Sequence, residues 1–389
     1  MSILSKAAEK WINEPPPKTW LCSHLEEEGL EALFYESIPF EKKATRVFAW
    51  VGLPDGVTDK DSVPGVVLIH GGGGSAFSRW VKWWNKRGYA AIAMDCCGAM
   101  PLPNTGIIGN ADWPRHQHSG PKGWGGWDQA TWAPEDQWCY HAPAAVIKAH
   151  TLLASYPQVD SSRIGLTGIS WGGYLTCMVA GIDPRFKVAA PVYGCGFITE
   201  GSEWTENGAI NGLTNEQADF WKANFDPSQV LQQIKTPMFW LNGTNDFAYW
   251  PSAWQKSIDT VKGPSHLCMK VRWPHGHIPE SEETPELESF LNTYLMEGRQ
   301  LPYVSSPVIN NNTISIQYDD AKHLHHANLV MTLDKCNWPE REWHTLSAQI
   351  NIENNSITAD LPNNCTAAYL NLITTGWLTV SSKIIIFTK

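Results

Sequence analysis

The sequence predicts an α/β fold with a mostly parallel central sheet, followed by a small all-β sandwich. Three observations carry this. Between residues 30 and 300, short apolar runs of strand length alternate with stretches of helical spacing, the pattern of βαβ units. Several runs end in glycine-rich or short polar loops, which in such a sheet gather at one edge. After Pro302 the helical period stops, and short alternating segments separated by Asn and Asp turns take over. The expected division is 1–302 and 303–389.

In order, a mixed helical lead-in occupies 1–30. Strands are expected at 30–39 and 44–54, closed by the turn Pro54-Asp55-Gly56. A buried strand at 63–70 runs into His70-Gly71-Gly72-Gly73-Gly74-Ser75. A helix from Phe77 to Lys86 closes at Gly88, and 89–95 is a second buried strand. Residues 96–134 are rich in Gly and Pro, and a loop this long inside an α/β unit is usually functional or disordered. A long helix is expected at 136–156, a strand at 161–170, a helix at 170–182 and a strand at 186–193. A second irregular insertion, 195–230, holds a helix at 215–223. The spacing then gives strand 236–242, helix 251–262, strand 265–273 and one helix over 281–299. The C-terminal segments are 313–318, 329–333, 344–350, 356–361, 368–374 and 384–387.

Composition narrows the function classes. With 389 residues and 43% hydrophobic content, the chain supports a large α/β core plus a smaller unit. The net charge of -10 argues against nucleic acid and against an anionic membrane surface as partners. Nine cysteines cannot all pair. With no C-x-x-C or zinc-type spacing, they read mostly as buried apolar residues, and no metal site is expected. No apolar run is long enough to span a bilayer, and the first twenty residues lack the apolar core of a leader. The expectation is a soluble cytoplasmic protein, secreted or periplasmic if a leader precedes this sequence.

The chemistry centres on Gly168-Ile169-Ser170-Trp171-Gly172, a G-x-S-x-G between a strand and a helix. Such a turn strains the serine backbone and pushes its hydroxyl over the sheet edge. A serine hydroxyl needs a base, a group that orients the base, and donors for the oxyanion. Asp246 follows the strand Phe239-Trp240-Leu241 and is the candidate acid. His275 and His277 follow Val271-Arg272-Trp273 as candidate bases. His277 is the expected choice, because Gly276 before it lets the loop bend sharply, leaving His275 to line the site. The N–H of Trp171 is one oxyanion donor; Gly72 or Gly73 supplies the second. The four glycines lack the Lys-Ser/Thr of a phosphate loop, so no nucleotide is expected.

With these residues the chain resembles the α/β-hydrolases over about residues 30–300. The likeness is strongest at His70–Ser75, Gly168–Gly173 and Gly243–Asp246. It is similar to the dienelactone hydrolase, acetyl xylan esterase and prolyl oligopeptidase branch, where Gly-Ile-Ser-Trp-Gly-Gly-Tyr is common. The resemblance implies an α/β-hydrolase fold and a Ser170–Asp246–His277 triad. It implies ester or amide hydrolysis through an acyl-enzyme, with no metal or cofactor. The similar peptidases carry a large β-propeller before this region, and the C-terminal sandwich is not general among them.

The 21 tryptophans are unusual. The insertion 96–140 holds Trp113, Trp124, Trp127, Trp132 and Trp138 and leaves the sheet edge after Asp95, so it should overhang Ser170. Trp204 and Trp221 could face it. Indole rings stack on sugar faces and their N–H groups bond hydroxyls, so Trp124 and Trp127 are candidate substrate contacts. Equally, these rings pack the insertion onto the body. The main reading is a carboxylic ester hydrolase acting on a small or carbohydrate-linked acyl ester. The alternatives are a small-peptide or acyl-peptide hydrolase, and a hydrolase fold used only for binding.

Overall fold

The computed structural model describes residues 2–101 and 113–387. The remainder, including 102–112 of the tryptophan-rich insertion, lies outside the described residues. Nine strands form one twisted sheet: β1 Thr19–Leu21, β2 Leu30–Glu36, β3 Arg46–Gly52, β4 Val63–Ile69, β5 Ala90–Met94, β6 Val159–Ile169, β7 Val188–Val192, β8 Met238–Gly243 and β9 Ser265–Lys270. The spatial order is β1-β2-β3-β5-β4-β6-β7-β8-β9. The first three strands pair antiparallel, and β3 joins β5 antiparallel. From β5 through β4, β6, β7 and β8 to β9 every pairing is parallel. The parallel strands read as unbroken apolar runs because both faces are covered: β5 and β7 are buried at every residue.

The helices are α1 Ile3–Ile12, α2 Ser78–Asn85, α3 Trp138–Leu153, α4 Trp171–Ile182, α5 Glu203–Glu206, α6 Asn215–Phe225, α7 Pro251–Thr260, α8 Pro279–Glu282 and α9 Pro285–Leu295. The single helix expected over 281–299 is two. Pro285 has no N–H to donate and takes the first helical position of α9, so the chain stops at Glu282 and restarts. Among the described residues no helix is long and apolar enough to cross a membrane. All nine cysteines are unpaired, and only Cys336 is exposed.

After residue 302 the strands are β10 Val308–Asn310, β11 Thr313–Gln317, β12 Leu324–Thr332, β13 His344–Ser347, β14 Gln349–Asn351, β15 Ser356–Asp360, β16 Ala367–Thr374, β17 Thr379–Ser381 and β18 Ile385–Ile386. They build two antiparallel sheets, β10-β11-β15-β14 and β13-β12-β16-β17, with β18 on β16. The strand expected at 344–350 is divided: β13 pairs with β12 in one sheet and β14 with β15 in the other, so the chain changes sheet at Ala348.

The alternation along β16 shows how this region joins the rest. Ala368, Leu370 and Leu372 face Ile314, Ile357 and Leu329 in a core of their own. Ala367 and Tyr369 face the main core instead. On that face the Tyr369 hydroxyl donates to the Met269 carbonyl (3.3 Å), and the Ser381 hydroxyl accepts from the Met269 N–H (2.8 Å). Met269 lies on β9, the edge strand of the large sheet, so these side chains occupy backbone groups that an open edge would leave free.

Candidate active site

β4, β6, β8 and β9 all end at the same edge of the sheet, and each feeds one loop of the site. At the end of β6, Ser170 adopts φ 58° and ψ -117°, a strained conformation for a residue with a side chain. Its N–H donates to the Val192 carbonyl (2.9 Å), and its carbonyl opens α4 by accepting from Tyr174 (2.9 Å). The turn closes this tightly because Gly172 has no side chain: a Cβ there would stand 2.1 Å from the Ile69 carbonyl oxygen.

At the end of β8, Asp246 is buried. Its Oδ1 accepts from the backbone N–H groups of Ala248 (3.0 Å) and Tyr249 (2.7 Å). Its Oδ2 lies 2.6 Å from Nδ1 of His275. The carboxylate therefore faces one imidazole nitrogen, with its other oxygen fixed by amides. The neighbouring Asn245 anchors the loop from outside: its amide donates to the carbonyls of Pro339 (3.0 Å) and Arg341 (2.7 Å) in the C-terminal region.

The imidazole of His275 is held as firmly. Tyr193, the residue after β7, stacks on it at 4.4 Å and 27°, and donates its hydroxyl to the Pro274 carbonyl (2.6 Å). Phe247 closes on the ring at 4.7 Å. Tyr193 directly follows Val192, which holds the Ser170 N–H, so the stacked ring and the serine turn are both tied to the end of β7.

His277, the expected base, sits elsewhere. Its Nδ1 faces Glu282 Oε1 at 3.1 Å, its Nε2 accepts the Gly71 N–H at 2.8 Å, and Phe77 and Trp80 pack on the ring. Both nitrogens are engaged, and Asp246 is paired with His275 instead. Gly276, at φ 158°, does let the loop turn, but the turn carries His277 away from Asp246 into a pocket between α2 and α8. Burial lowers the His277 imidazole from its ordinary 6.5 to about 4, despite the Glu282 carboxylate pulling the other way.

The loop after β4 lies against the serine. A Cβ on Gly71 would stand 3.0 Å from Ser170 Cβ. Among the described residues, the N–H groups of Gly72, Gly73 and Trp171 donate to no protein acceptor, and they are the candidate oxyanion donors. A Cβ at Gly72 would lie 2.9 Å from the Trp171 ring and 3.2 Å from Trp124. Trp124 thus flanks this loop, and with Trp113, Arg115 and Lys122 it lines a cleft beside Gly74. Trp127 is placed differently. It packs into Trp171, Trp204 and Trp221 at 5.4 to 5.6 Å, and Trp221 donates to the Gly125 carbonyl (2.7 Å). Trp127 fastens the insertion to the body. Among the described residues no cluster of three or more His, Cys, Asp or Glu side chains could hold a metal ion.

A family model for acetyl xylan esterase (AXE1) matches residues 30–200, and one for the prolyl oligopeptidase family matches 126–284. Both spans contain the Ser170 turn, and the second reaches Asp246 and His275. The chain is an α/β-hydrolase. Solved structures similar to this hydrolase include an acetyl xylan esterase from Paenibacillus sp. R4, with TM-score 0.58 and 22% identity over 75% of this chain and 93% of that one. Acetyl xylan esterase 1 from Thermoanaerobacterium sp. JW/SL YS485 gives 0.54 and 17%, over 76% and 93%. The acylaminoacyl peptidase of Pyrococcus horikoshii gives 0.52 and 16%, over 72% of this chain but 44% of that one.

Sequence reasoning missed Tyr193, Asn245, Glu282 and Arg79. Two of these had a signal. Tyr193 stands at the loop edge of the sheet, and Asn245 lies directly beside the candidate acid.

Proposed function

We propose that this α/β-hydrolase cleaves a small carboxylic ester through an acyl-enzyme on Ser170, with His275 as base and Asp246 as the group that orients it. One observation carries the reading: a strained serine turn after β6 and a 2.6 Å Asp–His pair after β8 and β9 stand on one edge of the sheet. His275 donates Nδ1–H to Asp246, which leaves Nε2 with a lone pair. That nitrogen takes the Ser170 proton as Oγ attacks the ester carbonyl carbon. The oxyanion is received by the N–H of Trp171 and of Gly72 or Gly73. Collapse breaks the bond to the alcohol oxygen, which leaves with the proton from His275. Water, deprotonated by the same nitrogen, then attacks the acyl-enzyme and releases the acid and Ser170. Among the described residues no hydrogen bond joins Ser170 to His275; such nucleophile–base contacts often tighten only in the complex with substrate.

The likeness to acetyl xylan esterases favours an acetyl group carried by a sugar hydroxyl, and Trp124 supplies an indole edge beside the oxyanion loop. The test is a fluorophosphonate probe with parallel turnover assays on nitrophenyl acetate, an acetylated xylo-oligosaccharide and an aminoacyl nitroanilide. The probe should label wild type and not Ser170→Ala, whose ester turnover should fall by about 10⁴- to 10⁶-fold. Labelling that persists in Ser170→Ala contradicts the reading. Faster turnover of the anilide than of the esters moves the substrate to peptides, as the match to the prolyl oligopeptidase family would have it.

A further inference from the structure

We propose that His277 is a positioning residue that fixes the oxyanion loop, with Glu282 and Arg79 fixing His277 in turn. The inference rests on the serine-hydrolase reading above and assigns a task to a buried group that the acyl-transfer chemistry does not use.

Gly71 is gripped through both of its flanking peptides. Its N–H donates to His277 Nε2 (2.8 Å), and its carbonyl accepts from His70 Nδ1 (2.7 Å) and from the Gly74 N–H (3.1 Å). Gly71 also touches the serine turn: a Cβ there would lie 2.8 Å from the Ile169 carbonyl oxygen and 3.0 Å from Ser170 Cβ. The Gly71 carbonyl shares its peptide plane with the Gly72 N–H, so holding Gly71 on both sides sets how the amides of Gly72 and Gly73 stand relative to Ser170. Its N–H cannot itself meet an oxyanion, because His277 already accepts it.

The brace behind it is complete. Arg79 donates to both carboxylate oxygens of Glu282, Nε to Oε2 at 2.8 Å and Nη2 to Oε1 at 2.6 Å. The Trp80 indole N–H holds the Glu282 carbonyl (3.0 Å). The carboxylate accepts a hydrogen bond from His277 Nδ1–H (3.1 Å), and that choice of tautomer leaves Nε2 as an acceptor. The opposite tautomer would set an N–H against the Gly71 N–H and an unprotonated nitrogen against a carboxylate. Burial works to raise the Glu282 carboxyl, but the hydrogen bonds from His277 and Arg79 outweigh it and hold it below its usual range, so it stays charged. Phe77 and Trp80 pack on the ring and keep water off the contact.

Two substitutions separate this role from simple packing. His277→Leu fills the pocket but accepts no hydrogen bond, while His277→Gln can present an oxygen to Gly71. Positioning predicts that Leu lowers kcat on nitrophenyl acetate by about 100-fold, the scale of a misplaced oxyanion donor, with KM within about threefold. Gln should restore kcat to within about tenfold of wild type. If Leu keeps wild-type kcat and Gln does not exceed it, His277 is a packing residue and the proposal fails. Should His277→Leu not fold, ¹⁵N NMR of the wild-type ring decides. Nδ1 must carry the proton and Nε2 the lone pair, and the reverse tautomer overturns the proposal. Ser170→Ala runs alongside: turnover surviving in that variant would overturn the serine reading itself, whereas its loss there with full activity in His277→Leu would overturn only the brace.

Discussion

His275 and His277 stand two residues apart on one loop, and each has a carboxylate at Nδ1, yet their surroundings divide their work. The His275 side chain keeps 10% of its surface, lies flat between Tyr193 and Phe247, and has an Nε2 without a protein partner among the described residues. The His277 side chain keeps 5%, and its Nε2 is committed to a backbone amide. The carboxylates differ as well. Asp246 is held by amide donors and, among the described residues, pairs with no lysine or arginine; Glu282 is clamped by Arg79. A histidine that must take and return protons needs a free nitrogen. One that holds a loop needs both nitrogens fixed. The identity of the acid does not distinguish the pairs; what the far nitrogen meets does.

The comparison is sharpened first by neutralising the two acids separately. Asp246→Asn should reduce kcat on the order of 10⁴-fold, because the amide no longer stabilises the imidazolium or enforces its tautomer. Glu282→Gln keeps a neutral acceptor for His277 and should cost roughly fivefold, the effect of about 1 kcal/mol. Steady-state kinetics on one ester measures both, and equal losses would erase the distinction between the pairs. Next, Asn245→Ala removes the amide bonds to the carbonyls of Pro339 and Arg341 without touching Asp246. If the C-terminal region steadies the acid loop through them, kcat should fall roughly tenfold with KM unchanged. Unchanged kcat would leave the region only its role of covering β9.

How far the chain was legible follows the same division. The parallel strands, the Ser170 turn and the Asp246 loop could be read because each is local: an apolar run, a glycine spacing, a polar loop at a strand end. The two histidines could not be told apart from local features. Gly276 does supply the bend, but where the bend points depends on α2 and α8, which place Gly71 and Glu282 some 206 and 5 residues away from His277. The two tryptophans divide likewise: both look available in sequence, and only packing shows Trp127 among Trp171, Trp204 and Trp221. The split of 344–350 between two sheets at Ala348 carries no sequence mark at all.

A smaller effect is expected in stability. His277 is pushed from 6.5 down to about 4 in the folded state, so the unfolded chain binds its proton first as pH falls. Its contribution is whole above pH 6.5 and is lost as pH falls toward 4, by about 3 kcal/mol in all. His116, His141 and His150 are lowered to about 4 by burial too and act in the same direction. The melting temperature should therefore drop between pH 6.5 and 4.5, less steeply in His277→Gln than in wild type. Parallel slopes would contradict a neutral, buried His277.

The central claim is that His275, and not His277, takes the proton from Ser170. Rapid-mixing measurement of the nitrophenol burst from nitrophenyl acetate tests it most directly, because the burst reports acylation alone. His275→Gln should abolish the burst while the folded protein keeps the wild-type circular dichroism spectrum. His277→Gln should retain it, slowed by no more than about tenfold. A burst that survives in His275→Gln and vanishes in His277→Gln would contradict the account.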